Sequence, residues 1–187
     1  MSSHELKAKP GTDYWRKPPS RNVADAPKHT THSYAVAFHS ATVTVSASWT
    51  RLYDQGGLLI LLPTDTGRER HWVKAGIEFA GGHPNLSVVA ARDWADWSLH
   101  PLDTDTVTIQ IEREPINVAK GKGSSLFVYV VKDGKREELP MREVTWAFEK
   151  EGDIEVGVYA ARPTRLSEDD EDELTVNFED LKVECTL

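Results

Sequence analysis

Two short segments concentrate the side chains that could do chemistry. Along His71–Phe79, strand alternation places Val73, Ala75, Ile77 and Phe79 on one face and Trp72, Lys74, Gly76 and Glu78 on the other. An ammonium, a carboxylate and an indole then share a face. Lys74 and Glu78 lie about 13 Å apart on an extended strand rising ~3.3 Å per residue, too far for direct contact. Each needs partners from neighbouring strands or from a ligand. The stretch Arg92-Asp93-Trp94-Ala95-Asp96-Trp97-Ser98 adds two indoles, two carboxylates and a guanidinium. Aromatic faces stack on sugar rings and other flat ligands, while acids and Arg hydrogen-bond hydroxyls or carboxylates. As plain scaffold, the same stretch would use Trp94 and Trp97 as core anchors and Arg92 and Asp93 as a surface pair.

Other constellations carry less. His29-Thr30-Thr31-His32 lies in a Pro-bounded segment without a third metal ligand in register, and Lys120–Ser125 lacks the spacing of a phosphate-binding loop. The acidic run Ser167–Glu173 lacks the central Gly and ligand spacing of a calcium-binding EF-hand loop, so it reads as a solvated loop. Asn85-Leu86-Ser87 matches a glycosylation sequon, but without a secretory signal it is expected to stay unmodified. Cys185 is the only cysteine, which rules out an intramolecular disulfide; on an alternating strand it is expected to be a small core residue. No catalytic residue, metal ligand or cofactor is assigned.

The elements that must position these residues are strands. The 187 residues suit one domain, and a hydrophobic share of 39% beside a charged share of 28% is enough for a core and a soluble surface. The net charge of -8 opposes nucleic acid and anionic lipid surfaces, so neither is an expected partner. The N-terminus lacks the apolar region of a secretory signal and no apolar run suits a spanning helix, so the expected location is cytoplasmic. Residues 1–33, punctuated by Pro10, Gly11, Pro18, Pro19 and Pro27, read as an arm partly docked through Tyr14 and Trp15, with only its first ten or so residues as candidates for disorder. Residues 34–187 read as the domain.

Within it, Thr42–Trp49, Thr106–Glu112, Ile154–Ala160 and Leu174–Phe178 alternate as half-buried strands. Gly57–Leu62 and Ser125–Val131 are apolar on both faces and read as central strands. Asp133-Gly134 marks a hairpin, because a type I′ turn needs positive φ at both positions. Many short strands without a helical period imply an all-β sandwich or barrel, and periodicity alone does not choose between them.

The motifs do choose. Tyr53-Asp54-Gln55-Gly56-Gly57-Leu58-Leu59, Trp72–Phe79 and Arg92–Ser98, in that order and spacing, resemble motifs of the regulator-of-enolase-like family, a domain of unknown function in the concanavalin A-like lectin and glucanase superfamily. Thr12-Asp13-Tyr14-Trp15-Arg16 resembles its entry motif, and Val156–Pro163 and Val176–Val183 its closing strands. The resemblance implies a two-sheet antiparallel jelly-roll sandwich with one concave sheet, and no catalytic motif comes with it. Retaining and inverting glycosidases need two carboxylates facing each other across the scissile bond. Glu112-Arg113-Glu114 and Asp93–Asp96 do not reproduce the Glu-x-Asp-x-x-Glu signature of the superfamily's glucanases.

The expected function is therefore a noncatalytic module that binds a carbohydrate or other small polar ligand on the concave sheet. Trp72, Lys74, Glu78, Arg92, Asp93 and Trp97 would form the site, with Tyr53, Asp54 and Trp15 at its rim. Trp72 would stack, Lys74 and Arg92 would donate, and Glu78 and Asp93 would accept. The alternatives are a protein-interaction factor regulating a metabolic enzyme such as enolase, as the family's name implies, and an enzyme using Lys74 and Glu78 as an acid/base pair.

Overall fold

The protein is described from a computed structural model covering residues 3–65 and 69–186. Strands are numbered in chain order. One sheet runs β1 (Ser3–Ala8), β15 (Leu174–Cys185), β5 (Phe38–Ala47), β10 (Thr106–Arg113), β11 (Leu126–Lys132) and β12 (Lys135–Arg136), with β13 (Arg142–Val144) also on β11. The other runs β4 (Lys28–Tyr34), β14 (Asp153–Ala161), β6 (Gln55–Leu62), β7 (His71–Ala80), β8 (His83–Ala91) and β9 (Ala95–Pro101). All these ladders are antiparallel, and the two sheets stack as a sandwich. The hairpin at Asp133-Gly134 forms with φ of 51° and 72°, as a type I′ turn requires.

Alternation builds the core. Val43, Val45, Ile109, Ile111, Val128 and Phe178 point inward from the first sheet, and Leu58, Ile60, Val73, Ile77, Val88 and Val156 from the second. The second sheet is buried on its outer face as well. There Leu59, Leu61, Trp72, Val89 and Tyr159 make a smaller apolar cluster with Tyr14 and Ala26 from the N-terminal segment. This explains why β6 is apolar throughout: each of its faces has a cover.

The cover comes from residues 1–33, which the described part of the structure folds further than an arm. Ser3–Ala8 pairs with β15 and Lys28–Tyr34 with β14, so both take edge positions. Between them, β2 (Tyr14–Lys17) and β3 (Arg21–Ala24) form a hairpin over the second sheet. The prolines stand outside these strands or at their turns, which is how Pro coexists with pairing. Two positions of the hairpin's first strand, Tyr14 and Arg16, are buried against the sheet. Arg16 pins the hairpin by donating to the Arg92 carbonyl at 2.9 Å and the Arg70 carbonyl at 2.6 Å.

Cys185 corrects its core expectation, for it is exposed and lies 3.2 Å from Ser33 Oγ. The ladder of β15 shifts register between Glu179 and Lys182 and again between Glu184 and Cys185, so alternation set by Leu174–Phe178 does not reach the strand's end. The acidic run is exposed as expected except at Asp170, which is buried. Arg51 ion-pairs with Asp170 and, at 2.7 Å, with Asp172, and hydrogen bonding to Arg51 holds the Asp170 carboxyl well below the usual carboxylate range. Among the described residues, no group of three or more His, Cys, Asp or Glu side chains could hold a metal ion.

Beneath that loop lies a fully desolvated pair. Asp54 Oδ2 accepts from Arg162 Nη2 at 2.8 Å and its Oδ1 accepts from Arg162 Nε at 2.9 Å, both residues being buried. The same carboxylate accepts the backbone N–H groups of Thr50 and Arg51 at 3.1 and 2.9 Å. Asp54→Ala leaves the buried guanidinium only Asp172 and Thr50 as side-chain partners and frees two amides, so it is expected to lower the unfolding free energy by about 3 kcal/mol, read from urea denaturation.

Candidate functional site

On β7 the outward positions are Trp72, Lys74, Gly76 and Glu78, and the neighbouring strands set what stands beside them. Lys74 pairs with Leu59 of β6 and Val89 of β8, while Glu78 pairs with Gln55 and Asn85. Between these two rows, Gly57 and Gly76 face each other, and a Cβ on either would come within 2.1 Å of a backbone carbonyl oxygen of the other strand. The bare backbone leaves room for Tyr159, which pairs with Gly57 from the β14 side and sends its hydroxyl to Gln55 Oε1 at 3.2 Å.

A cavity of about 430 Å³ opens where the hairpin stops covering this face. Its buried floor holds Asp13, Gln55, Lys74 and Glu78. Trp15, Tyr53, Trp97, Pro163 and Thr164 form the walls, and the exposed Lys17 and Arg21 stand at the mouth. Trp97 is the centre of the aromatic wall. Its ring meets Trp15 edge-on at 6.0 Å and Tyr53 edge-on at 6.1 Å, in the geometry that the aromatic quadrupole favours. Tyr53 reaches this place from a left-handed backbone conformation, φ 69°, held by its N–H donating to the Phe79 carbonyl at 2.7 Å.

The floor is a polar network. Lys74 Nζ donates to Gln55 Oε1 at 2.5 Å and to Asp13 Oδ1 at 3.4 Å, and lies 5.6 and 5.7 Å from the Trp72 and Tyr159 ring centres. Glu78 Oε2 accepts from Ser87 Oγ at 2.8 Å and from Trp97 Nε1 at 3.1 Å. Burial pushes the Lys74 ammonium down from its ordinary pKa, against the opposing pull of Asp13 and Glu78. It pushes the Glu78 carboxyl up, against Lys74 and the Ser87 hydrogen bond. Burial also takes the Tyr159 phenol well above its ordinary value. Lys74 and Glu78 are thus both displaced towards neutrality in one partly closed space.

Of the nine residues singled out in the sequence, Lys74, Glu78, Trp97, Tyr53 and Trp15 meet at this cavity. The other four stand elsewhere. Trp72 is 1% exposed and packs beneath Tyr14, edge-on at 5.9 Å, so its face is not available for stacking on a ligand at the cavity. Arg92 pairs with Glu149 at 3.1 Å beside a separate hollow shared with Trp94 and Trp146. Asp93 is exposed in the turn between β8 and β9, and Asp54 is the buried partner of Arg162. Trp94 and Trp97 are both exposed, so neither anchors the core.

Asp13, Gln55, Tyr159, Ser87, Lys17 and Arg21 were not singled out as site residues. Asp13, Gln55 and Tyr159 sit inside the motifs that carried the family resemblance, while Ser87 is marked in the sequence only by the sequon and by its outward parity on β8. Two other hollows, of about 730 and 460 Å³, lack the same combination. In the first, His100, Asp103 and Lys132 are exposed; in the second, the buried Arg113 is already satisfied by the Gly123 and Ala35 carbonyls and Glu151.

The Trp97 indole N–H stabilises the charged form of Glu78, so Trp97→Phe is expected to raise the Glu78 carboxyl pKa further, read by carbon-13 NMR titration. Linkage fixes the pH dependence. Native Glu78 keeps its proton above the ordinary value of about 4.3, so its contribution is fully present below that pH and is lost as pH rises through the native value. Glu78→Gln should remove this downward slope of unfolding free energy with pH, measured by urea unfolding from roughly pH 4 upward.

Known proteins agree with this architecture. A protein from Emericella nidulans described as "Uncharacterized protein AN7484" is 42% identical over 185 residues, 97% of this chain and 86% of that protein. "Regulation of enolase protein 1" of Saccharomyces cerevisiae is 38% identical over 87 residues, 46% of this chain and 41% of that one. Among solved structures, a functionally unknown protein from Saccharomyces cerevisiae superposes with a TM-score of 0.76 at 26% identity, covering 99% of this chain and 89% of that one. The β-glucanase of Bacillus licheniformis gives 0.50 at 14% identity over 98% of this chain and 78% of that one, a likeness of fold alone. The sandwich is a concanavalin A-like jelly roll. The model of the family "Protein of unknown function (DUF1349)" matches residues 2–185, and the chain belongs to that family.

Proposed function

We propose that the protein is a binding module whose cavity on the outer face of the second sheet takes a carbohydrate or another small polar ligand. One observation carries this reading: four buried polar side chains, Asp13, Gln55, Lys74 and Glu78, converge under an aromatic wall of Trp15, Tyr53 and Trp97. A few fixed polar groups beside flat apolar surfaces are what orient a polyhydroxylated ring. The network also leaves capacity. Lys74 has three N–H donors and directs two at Gln55 and Asp13. Both hydrogen bonds to Glu78 fall on Oε2, so Oε1 serves a ligand hydroxyl.

Glycan-array and metabolite-library screening of the wild-type protein should give binders. Trp97→Ala should weaken them about tenfold through lost stacking, and Glu78→Gln by about 10–100-fold through the lost charged acceptor. Binding that survives both changes in folded protein, or no binder in either screen, would overturn the reading.

A second reading, a protein partner in metabolic regulation, draws on the name of the yeast relative. It predicts co-elution with purified enolase that Glu78→Gln leaves intact. Acid/base use of Lys74 and Glu78 draws on their displaced pKa values in one cavity; turnover of a bound ligand, abolished by Glu78→Gln, would establish it.

A further inference from the structure

The cavity mouth carries an arrangement that the binding reading does not use. Lys17 and Arg21 stand directly opposite each other across the β2–β3 ladder. Like charges in that position repel and destabilise the pair. Both side chains are exposed and both line the cavity. Of the two acids that line the cavity, Asp13 pairs with Lys74 at 3.4 Å and Glu78 accepts from Ser87 and Trp97. Among the described residues neither Lys17 nor Arg21 has an ion-pair partner.

The rest of the chain makes these two charges conspicuous. With a net charge of -8, the protein as a whole repels anions, and only a local concentration of positive charge would admit one. On the cavity floor, Lys74 is offset by Asp13, and Glu78 is held by the neutral donors Ser87 and Trp97. Three cations, Lys17, Arg21 and Lys74, thus line the cavity against two carboxylates, Asp13 and Glu78, and the positive excess lies at the mouth.

We infer that the ligand is an anionic saccharide, bearing a carboxylate or a phosphate that Lys17 and Arg21 hold at the mouth while its hydroxyls meet Gln55, Lys74 and Glu78. The inference rests on the binding reading above and adds the charge class. The guanidinium of Arg21 offers a planar fork that matches either anion, and Lys17 adds a second donor on the same edge. The bound anion relieves the repulsion between the two cations. Trp97 and Trp15 stack the ring between the charged mouth and the polar floor.

The test is isothermal titration of the full chain with matched probes: D-glucuronate, D-galacturonate and D-glucose 6-phosphate, each beside its neutral parent sugar. The anionic members are expected to bind at least about tenfold more tightly than their parents, an advantage that shrinks with added salt. Lys17→Gln and Arg21→Gln should each reduce it, and the double variant should bring anionic and neutral probes level while leaving neutral affinity unchanged. Uronates and the sugar phosphate separate the carboxylate source from the phosphate source. Equal binding of neutral and anionic probes, or a preference that survives in the double variant, would overturn the inference and leave the binding reading standing. No binding by any probe would overturn the inference, whereas the broader screens decide the binding reading separately. A thermal midpoint of the double variant at or above that of the wild type verifies that the hairpin is folded, since the variant removes a like-charge contact.

Discussion

The structure depends on a sheet that must be covered on both faces. In the second sheet, the inward rows of β6, β7, β8 and β14 meet the first sheet, and the outward rows carry Leu59, Leu61, Trp72, Val89 and Tyr159, which need a second cover. The N-terminal hairpin supplies it. Tyr14 and Ala26 close the apolar part of the outer face, and each of the Leu59, Leu61 and Val89 side chains so kept from water contributes on the order of 1.5–3 kcal/mol. Where the cover ends, the outer face turns polar, and the cavity lies at that boundary.

The hairpin is therefore part of the site as well as its lid. Alternation along β2 sends Tyr14 and Arg16 onto the sheet while Trp15 and Lys17 line the cavity. Asp13, one residue before the strand, supplies the countercharge for Lys74. A buried ammonium would otherwise be strongly destabilising, so the docking of the N-terminal segment and the charge state of the floor are linked. The Asp54–Arg162 pair plays the corresponding part on the other wall, because it fixes the turn that presents Tyr53.

Much of the fold was legible in the residues. Thr106–Glu112, Ile154–Ala160 and His71–Phe79 alternate with a period of two, and each is a strand within a residue or two of its expected bounds. Local periodicity suffices there because one buried face dictates every second side chain. It failed at Cys185, where two register shifts in β15 break the alternation. It also missed the extent of the N-terminal strands, whose edge pairing needs partners more than a hundred residues away: β15 for Ser3–Ala8 and β14 for Lys28–Tyr34.

The sequence by itself determined that the chain is an all-β sandwich, that Lys74 and Glu78 share one face of a strand, and which family its motifs resemble. These are local properties of parity and order. Only the tertiary structure decided which candidates meet. Trp72 has the same parity as Lys74, yet the hairpin buries it; Arg92 and Asp93 adjoin Trp97 in sequence, yet they stand outside the cavity. Asp13 and Gln55 complete the floor from segments about 60 and 20 residues away from Lys74 along the chain. The cover over a face depends on long-range packing, and parity within one strand carries no information about it.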